Sequence, residues 1–201
     1  MKKIASILFI LSITLSSQAQ ELTKQKEVGL IFSNLNSFGL SYKFGSSKSL
    51  WRINTLLLSG SSNNEVFENQ DIKQSSAGVN LTFGKELRKH VTDNFELRYG
   101  GDLSFSYNKS KFDFDDKTVS NQDRTNNKTT YNSGINIVIG FNYLINERIL
   151  LGAEILPGIG YTTGASIITN SANNSETKSD LSGFNYGLSN NGALISLAYR
   201  F

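Results

Sequence analysis

Cysteine does not occur in the 201 residues, and proline, methionine, tryptophan and histidine occur once each, as Pro157, Met1, Trp51 and His90. Without cysteine there is no disulfide framework, so an exported chain of this composition must be held by its fold alone. Charge of one sign is also scarce: 20 Lys and Arg stand against 17 Asp and Glu, a formal net charge of +3. Two of those lysines, Lys2 and Lys3, lie at the extreme N-terminus; beyond them 18 basic residues face 17 acidic ones. Such a balance carries no basic patch and gives no reason to expect nucleic acid as a partner. After residue 19 no apolar run approaches the roughly 20 residues that a membrane helix needs. Acid–base or nucleophilic chemistry usually needs a histidine as base. His90 sits in a charged stretch, 85–94, and reads as a solvated turn residue. Asp113, Asp115 and Asp116 offer oxygens suited to a hard cation, but their spacing does not match an EF-hand loop, and they read as a solvated loop tip. The sequence therefore nominates no catalytic residue, no cofactor and no metal ligand, and we expect a protein that is not an enzyme.

What is present begins with a leader. Lys2 and Lys3, an apolar run over residues 4–15 and the small-x-small ending Ser17-Gln18-Ala19 have the form of a secretory signal peptide cut after Ala19. The apolar run is too short to cross a bilayer, and no cysteine follows that could carry a lipid anchor. The expected division is thus residues 1–19 as signal peptide and 20–201 as one domain.

From there the chain alternates with a period of two, which marks strands with unlike faces. The last stretch is the clearest anchor for the phase: Ala193, Ile195, Leu197, Tyr199 and Phe201 form an apolar row, with Leu194, Ser196, Ala198 and Arg200 between them. Counted the same way, strands are expected near 28–32, 38–44, 51–57, 77–83, 95–107, 131–143 and 149–161. The last runs from Phe184 to Phe201 with its phase shifted at Asn190-Asn191-Gly192, which we read as a β-bulge rather than a turn. Pro157 has no amide donor and should sit at a bulge or an unpaired position. Residues 59–74, 108–129 and 163–181 read as long polar loops, 85–94 as a charged connector, and 34–37, 45–48 and 146–148 as tight turns.

Eight strands, even in number and joined by alternately short and long connections, predict an all-β, eight-stranded antiparallel up-and-down transmembrane β-barrel preceded by a signal peptide. A soluble barrel or sandwich would turn the apolar row inward. Here that row carries aromatics at two levels, which suits the two interfaces of a bilayer. Phe44, Trp51, Phe83, Phe95, Tyr143, Tyr199 and Phe201 fall toward the periplasmic end, and Phe38, Tyr107, Tyr131, Tyr161 and Tyr186 toward the outer end. The other row must then face inward. It carries Lys43, Arg52, Arg98 and Arg200 against Glu27, Glu96, Asp102 and Glu154, a balanced set that we expect to form an interior network of ion pairs. Eight strands enclose room only for side chains, so a filled core is expected in place of a diffusion pore.

With the signal ending at Ala19, the repeated alternating strands and the terminal Leu197-Ala198-Tyr199-Arg200-Phe201 in view, the chain resembles the small outer-membrane β-barrel proteins of Gram-negative bacteria, the OmpA-transmembrane-domain and OmpX-like group. The resemblance covers nearly all of residues 20–201. It implies a bacterial outer-membrane location, outer-membrane lipid as the surroundings, and a monomer. It also implies that Leu197, Tyr199 and Phe201 serve as a C-terminal signal to the barrel-assembly machinery. The leading functional expectation is a structural or surface-interaction role, with outer loops meeting a surface ligand. The alternatives are a barrel enzyme acting on lipid or peptide and a narrow, porin-like channel.

Overall fold

Alternation along the chain becomes extended backbone throughout the computed structural model, which describes residues 24–34, 37–118, 123–171, 173–188 and 192–201. Among them run ten strands: β1 Lys24–Asn34, β2 Ser37–Ser46, β3 Ser49–Val66, β4 Gln70–Thr92, β5 Phe95–Asp116, β6 Arg124–Leu144, β7 Ile149–Ile155, β8 Gly158–Asn170, β9 Ser175–Gly187 and β10 Ala193–Arg200. The expected signal segment lies outside the described residues. So do Leu35 and Asn36 of the first turn, and Asn190 and Asn191, on which the choice between bulge and turn depended.

Every pairing is antiparallel, and eight of the strands close on themselves. β1 pairs with β2, β2 with β3, β3 with β4, β4 with β5 and β5 with β6; β6 then pairs with β7, β7 with β10, and β10 back with β1. The first and last strands meet along a seam from Glu27 opposite Arg200 to Phe32 opposite Ile195. Beyond it Lys26 and Phe201 exchange backbone hydrogen bonds, N to O at 3.1 and 2.9 Å. Following opposed residues once round the ring from Leu144 leads back to Gly134, ten residues along the same strand. A ring with that stagger must have steeply tilted strands, and its interior is narrow enough for side chains to fill.

Pro157 explains why β7 and β8 are separate. Having no N–H, it cannot continue the ladder; its carbonyl still accepts from Ile137 N at 2.8 Å, while Leu156 N donates to Gly192 O at 2.5 Å. After this interruption β8 stays on β6, but its other neighbour is β9 instead of β10. The burial pattern also differs between β9 and β10. In β9 both odd and even residues from Ser182 to Gly187 are exposed, whereas in β10 Leu194 and Ser196 are buried and Ile195 and Leu197 exposed.

The three long polar stretches are not loops. Residues 59–66 and 70–76 continue β3 and β4 as a ladder from Ser59 opposite Gly78 to Val66 opposite Asp71. Likewise β5 runs on to Asp116 and β6 starts at Arg124, while β8 and β9 pair as far as Asn170 opposite Ser175. Ser, Thr and Asn lower apolar content without preventing strand pairing, so polarity alone marks water on both faces, not a loop. At the opposite end the expected connector 85–94 is strand as well: β4 extends to Thr92, and only Asp93 and Asn94 turn. Phe83 therefore lies well inside β4, away from the end where the sequence reading put it.

Candidate functional site

The alternation sorts residues inside out relative to a soluble protein. Leu103, Ile135, Ile137 and Ile195 face outward with 58–60 % of their surface exposed, while Glu27, Arg52, Glu86 and Glu96 face inward at 1 % or less. A buried apolar cluster exists, but it is small: Ile31, Val138, Leu156 and Leu194. Outward aromatics stack in pairs. Phe95–Phe141 and Tyr199–Phe201, with ring centroids 5.4 and 6.4 Å apart, lie toward the turn end. Tyr107–Tyr131 and Tyr161–Phe184, at 5.3 and 4.8 Å, lie toward the extended end, and Trp51 on Phe83 falls between.

Inside the ring the charges are joined in one network. Arg52, on β3, donates through Nη1 and Nη2 to the two carboxylate oxygens of Glu154 at 2.9 and 2.6 Å, a fork matched to its target. Its Nη1 also reaches Glu86 Oε2 at 3.1 Å, and its Nε lies 3.3 Å from Asp102 Oδ1. Arg88 makes a second fork to Glu27, at 2.7 and 2.6 Å, and donates through Nε to Glu86 at 2.7 Å. Lys43 donates to Glu86 at 2.8 Å, and Arg98 lies 3.1 Å from Glu154. Arg200 closes the seam by donating to Glu27 at 3.0 Å and to Glu96 at 3.0 Å. The eight residues assigned to the inward row from the sequence, Glu27, Lys43, Arg52, Glu96, Arg98, Asp102, Glu154 and Arg200, all point into this space.

Two members were hidden. Glu86 and Arg88 sit at the centre of the network, both almost fully buried, yet their stretch looked like a connector because Lys85, Lys89 and His90 flank them. The signal was in the phase: inward Thr82 and Gly84 continue by twos to Glu86 and Arg88, with Leu87 outward. His90 completes that row at the rim of the ring. Its ring is half exposed and its Nδ1 lies 3.5 Å from Glu96 Oε1, so it is a strand residue and not a turn residue. The loop-tip aspartates are strand residues too. Asp113 pairs with Lys111 at 2.7 Å and Asp115 with Lys73 at 3.6 Å, and Asp116 accepts from Thr118 N at 2.8 Å.

Beyond the ring, the extensions of β3, β4, β5, β6, β8 and β9 form a standing sheet. Among the described residues, no strand pairs with the far edge of β9, nor with residues 60–66 of β3 on the side away from β4. The short β1–β2 hairpin leaves these two edges apart.

No protein-family model matches the chain, and no curated protein does. Among solved structures, a major outer membrane protein from Thermus thermophilus is similar with a TM-score of 0.50 at 9 % identity, covering 89 % of this chain and all of that one. Ail, the attachment invasion locus protein of Yersinia pestis, gives 0.41 at 15 % identity over 90 % of this chain and all of its own. Neisserial surface protein A gives 0.32 at 15 % identity over 88 % and 92 %. The first likeness is one of fold and says nothing of activity; the other two are too distant to argue from.

Proposed function

We propose that the chain is an integral β-barrel of the bacterial outer membrane whose standing sheet is a surface for interaction with other molecules. The observation that carries the location is the inversion of burial. An apolar exterior this continuous far exceeds the patch of a few hundred Å2 that soluble monomers tolerate, and a closed ladder is the one β arrangement that leaves no unpaired backbone in hydrocarbon. The likeness in fold to the Thermus outer membrane protein supports the same reading. The ion-paired core is then structural: it fills the lumen, and its matched signs remove the penalty of enclosing single charges. On this reading Leu197, Tyr199 and Phe201 lie on the outward row of the closing strand, where the barrel-assembly machinery would meet them during insertion.

The interaction role rests on the standing sheet. Its two free edges carry backbone donors and acceptors, which are a template for another chain. The location is tested by migration of the outer-membrane fraction on gels with and without boiling. A folded barrel resists detergent and shifts on boiling; a soluble, unshifted protein in periplasmic extract would end this reading. The surface role is tested by binding of cells to host or bacterial surfaces after shortening of the extensions.

A further inference from the structure

The interior has two storeys of different chemistry. The ionic layer ends at Asp102 on β5, and one inward step above it, at Ser104, a chamber of about 490 Å3 begins. That volume lies within the roughly 300–1,000 Å3 of small-molecule sites. None of the described residues lining it is charged; its walls are amides and hydroxyls, chiefly from Asn80, Asn132, Asn185, Thr162, Ser104 and Ser106. Glycines hold it open. A Cβ at Gly160 would come within 2.6 Å of Asn185 Oδ1 and 3.0 Å of Asn132 Oδ1, and one at Gly134 within 3.0 Å of Ser104 Oγ. The amides are only partly used among themselves: Thr162 Oγ1 accepts from Asn132 Nδ2 at 2.7 Å and from Asn185 Nδ2 at 3.1 Å. Ile159 and Tyr186, at the rim of the chamber, belong to the outward row, since Ile159 lies opposite Ile135 on one side and Tyr186 on the other.

We propose that this chamber binds a neutral polyhydroxylated molecule, a saccharide unit or polyol. Hydroxyl groups both donate and accept, as do the amides and hydroxyls of the wall, so each ligand hydroxyl finds a complementary pair. A charged ligand would give up hydration with no counter-ion in reach. The Asn80 amide, part of the wall, meets a ligand hydroxyl together with those of Asn132 and Asn185. A free sugar and the sugar head of a lipid share this chemistry, so both are tested.

The protein, folded in a zwitterionic detergent without a sugar head, is titrated with glucose, N-acetylglucosamine and octyl glucoside, and with the charged analogues glucuronate and glucosamine. Chemical shifts of asparagine side-chain amides report occupancy, and gel migration reports folding. Saturable shifts of the Asn80, Asn132 and Asn185 amides with neutral probes, and much weaker ones with charged analogues, are expected. The tighter of glucose and octyl glucoside names the source. Asn80→Ala should weaken binding about tenfold, the loss of roughly one hydrogen bond in a closed site, and Ser106→Leu should abolish it in a protein that still shifts on the gel. Absence of saturation by every neutral probe, which leaves a chamber holding water only, would overturn the proposal. Equal binding of charged analogues would do the same, as would a folded Ser106→Leu or Asn80→Ala variant that binds undiminished.

Discussion

At the scale of single residues, the inward and outward rows obey opposite rules, and Glu86 shows why. It accepts from Lys43, Arg52 and Arg88, so Glu86→Gln keeps the shape and strands three cations near a neutral amide. Removing one partner of a buried pair costs about 3–5 kcal/mol. We expect a loss of that order in denaturant unfolding of the protein in bilayers or micelles. Replacing the exposed and ion-paired Lys73 should change little, since surface pairs contribute about 0–1 kcal/mol. The outward row gives the converse test. Leu103→Arg or Ile137→Arg puts a charge in hydrocarbon at a cost of about 2–4 kcal/mol near the midplane, whereas Ser106→Lys points into the polar chamber. Insertion yield, read as the heat-shifted gel band, should fall sharply for the first two and much less for the third. Equal tolerance at both kinds of position would mean that the apolar row does not face lipid.

At the scale of elements, the strands have two parts with separate jobs. Residues 38–44 of β2 and 95–99 of β5 alternate between large apolar and inward polar or small side chains, and these parts close the ring. Among the described residues, the strand segments within 60–76, 109–127 and 162–182 pair with their neighbours in the standing sheet but not with β1 or β2. Shortening the hairpins by deleting 62–74 or 111–125 and joining the cut strands with an Asn-Gly turn should therefore leave the ring able to fold. An unchanged heat-dependent gel shift, together with loss of whatever surface binding the intact protein shows, is the expected outcome. A shortened protein that no longer folds would place the stability of the ring in the extensions.

At the scale of the whole molecule, a ring staggered by ten residues has no spare width, and ten charged side chains fill its lower half: Lys43, Arg52, Arg88, Arg98 and Arg200 against Glu27, Glu86, Glu96, Asp102 and Glu154. The chamber above opens away from this plug. Planar-bilayer recordings should therefore show no steady ionic current for the intact protein. The double variant Arg52→Ala/Glu154→Ala deletes the bidentate pair that spans the lumen and should raise conductance above the intact baseline. Steady single-channel steps from the unaltered protein would instead favour the channel reading.

The order of strands and the direction of each face were legible from residue types alone. A period of two is a local property, and the signs on alternate rows can be read without knowing the fold. Hence Arg52, Glu96, Arg98, Asp102 and Glu154 could be assigned to one row in advance. Three things were not local. The length of β3 to β6 depended on pairing between polar segments, since Ser and Asn enter a strand when a neighbouring strand pairs with them. Glu86 and Arg88 could be told from a solvated run only when β4 was seen to continue past Gly84. The division of the lumen into an ionic plug and a neutral chamber came from the stagger of the ring, which brings side chains from eight strands to one height. The sequence by itself determined which residues share a face. Tertiary closure alone decided which of them meet, because burial and charge pairing depend on distances that no single strand contains.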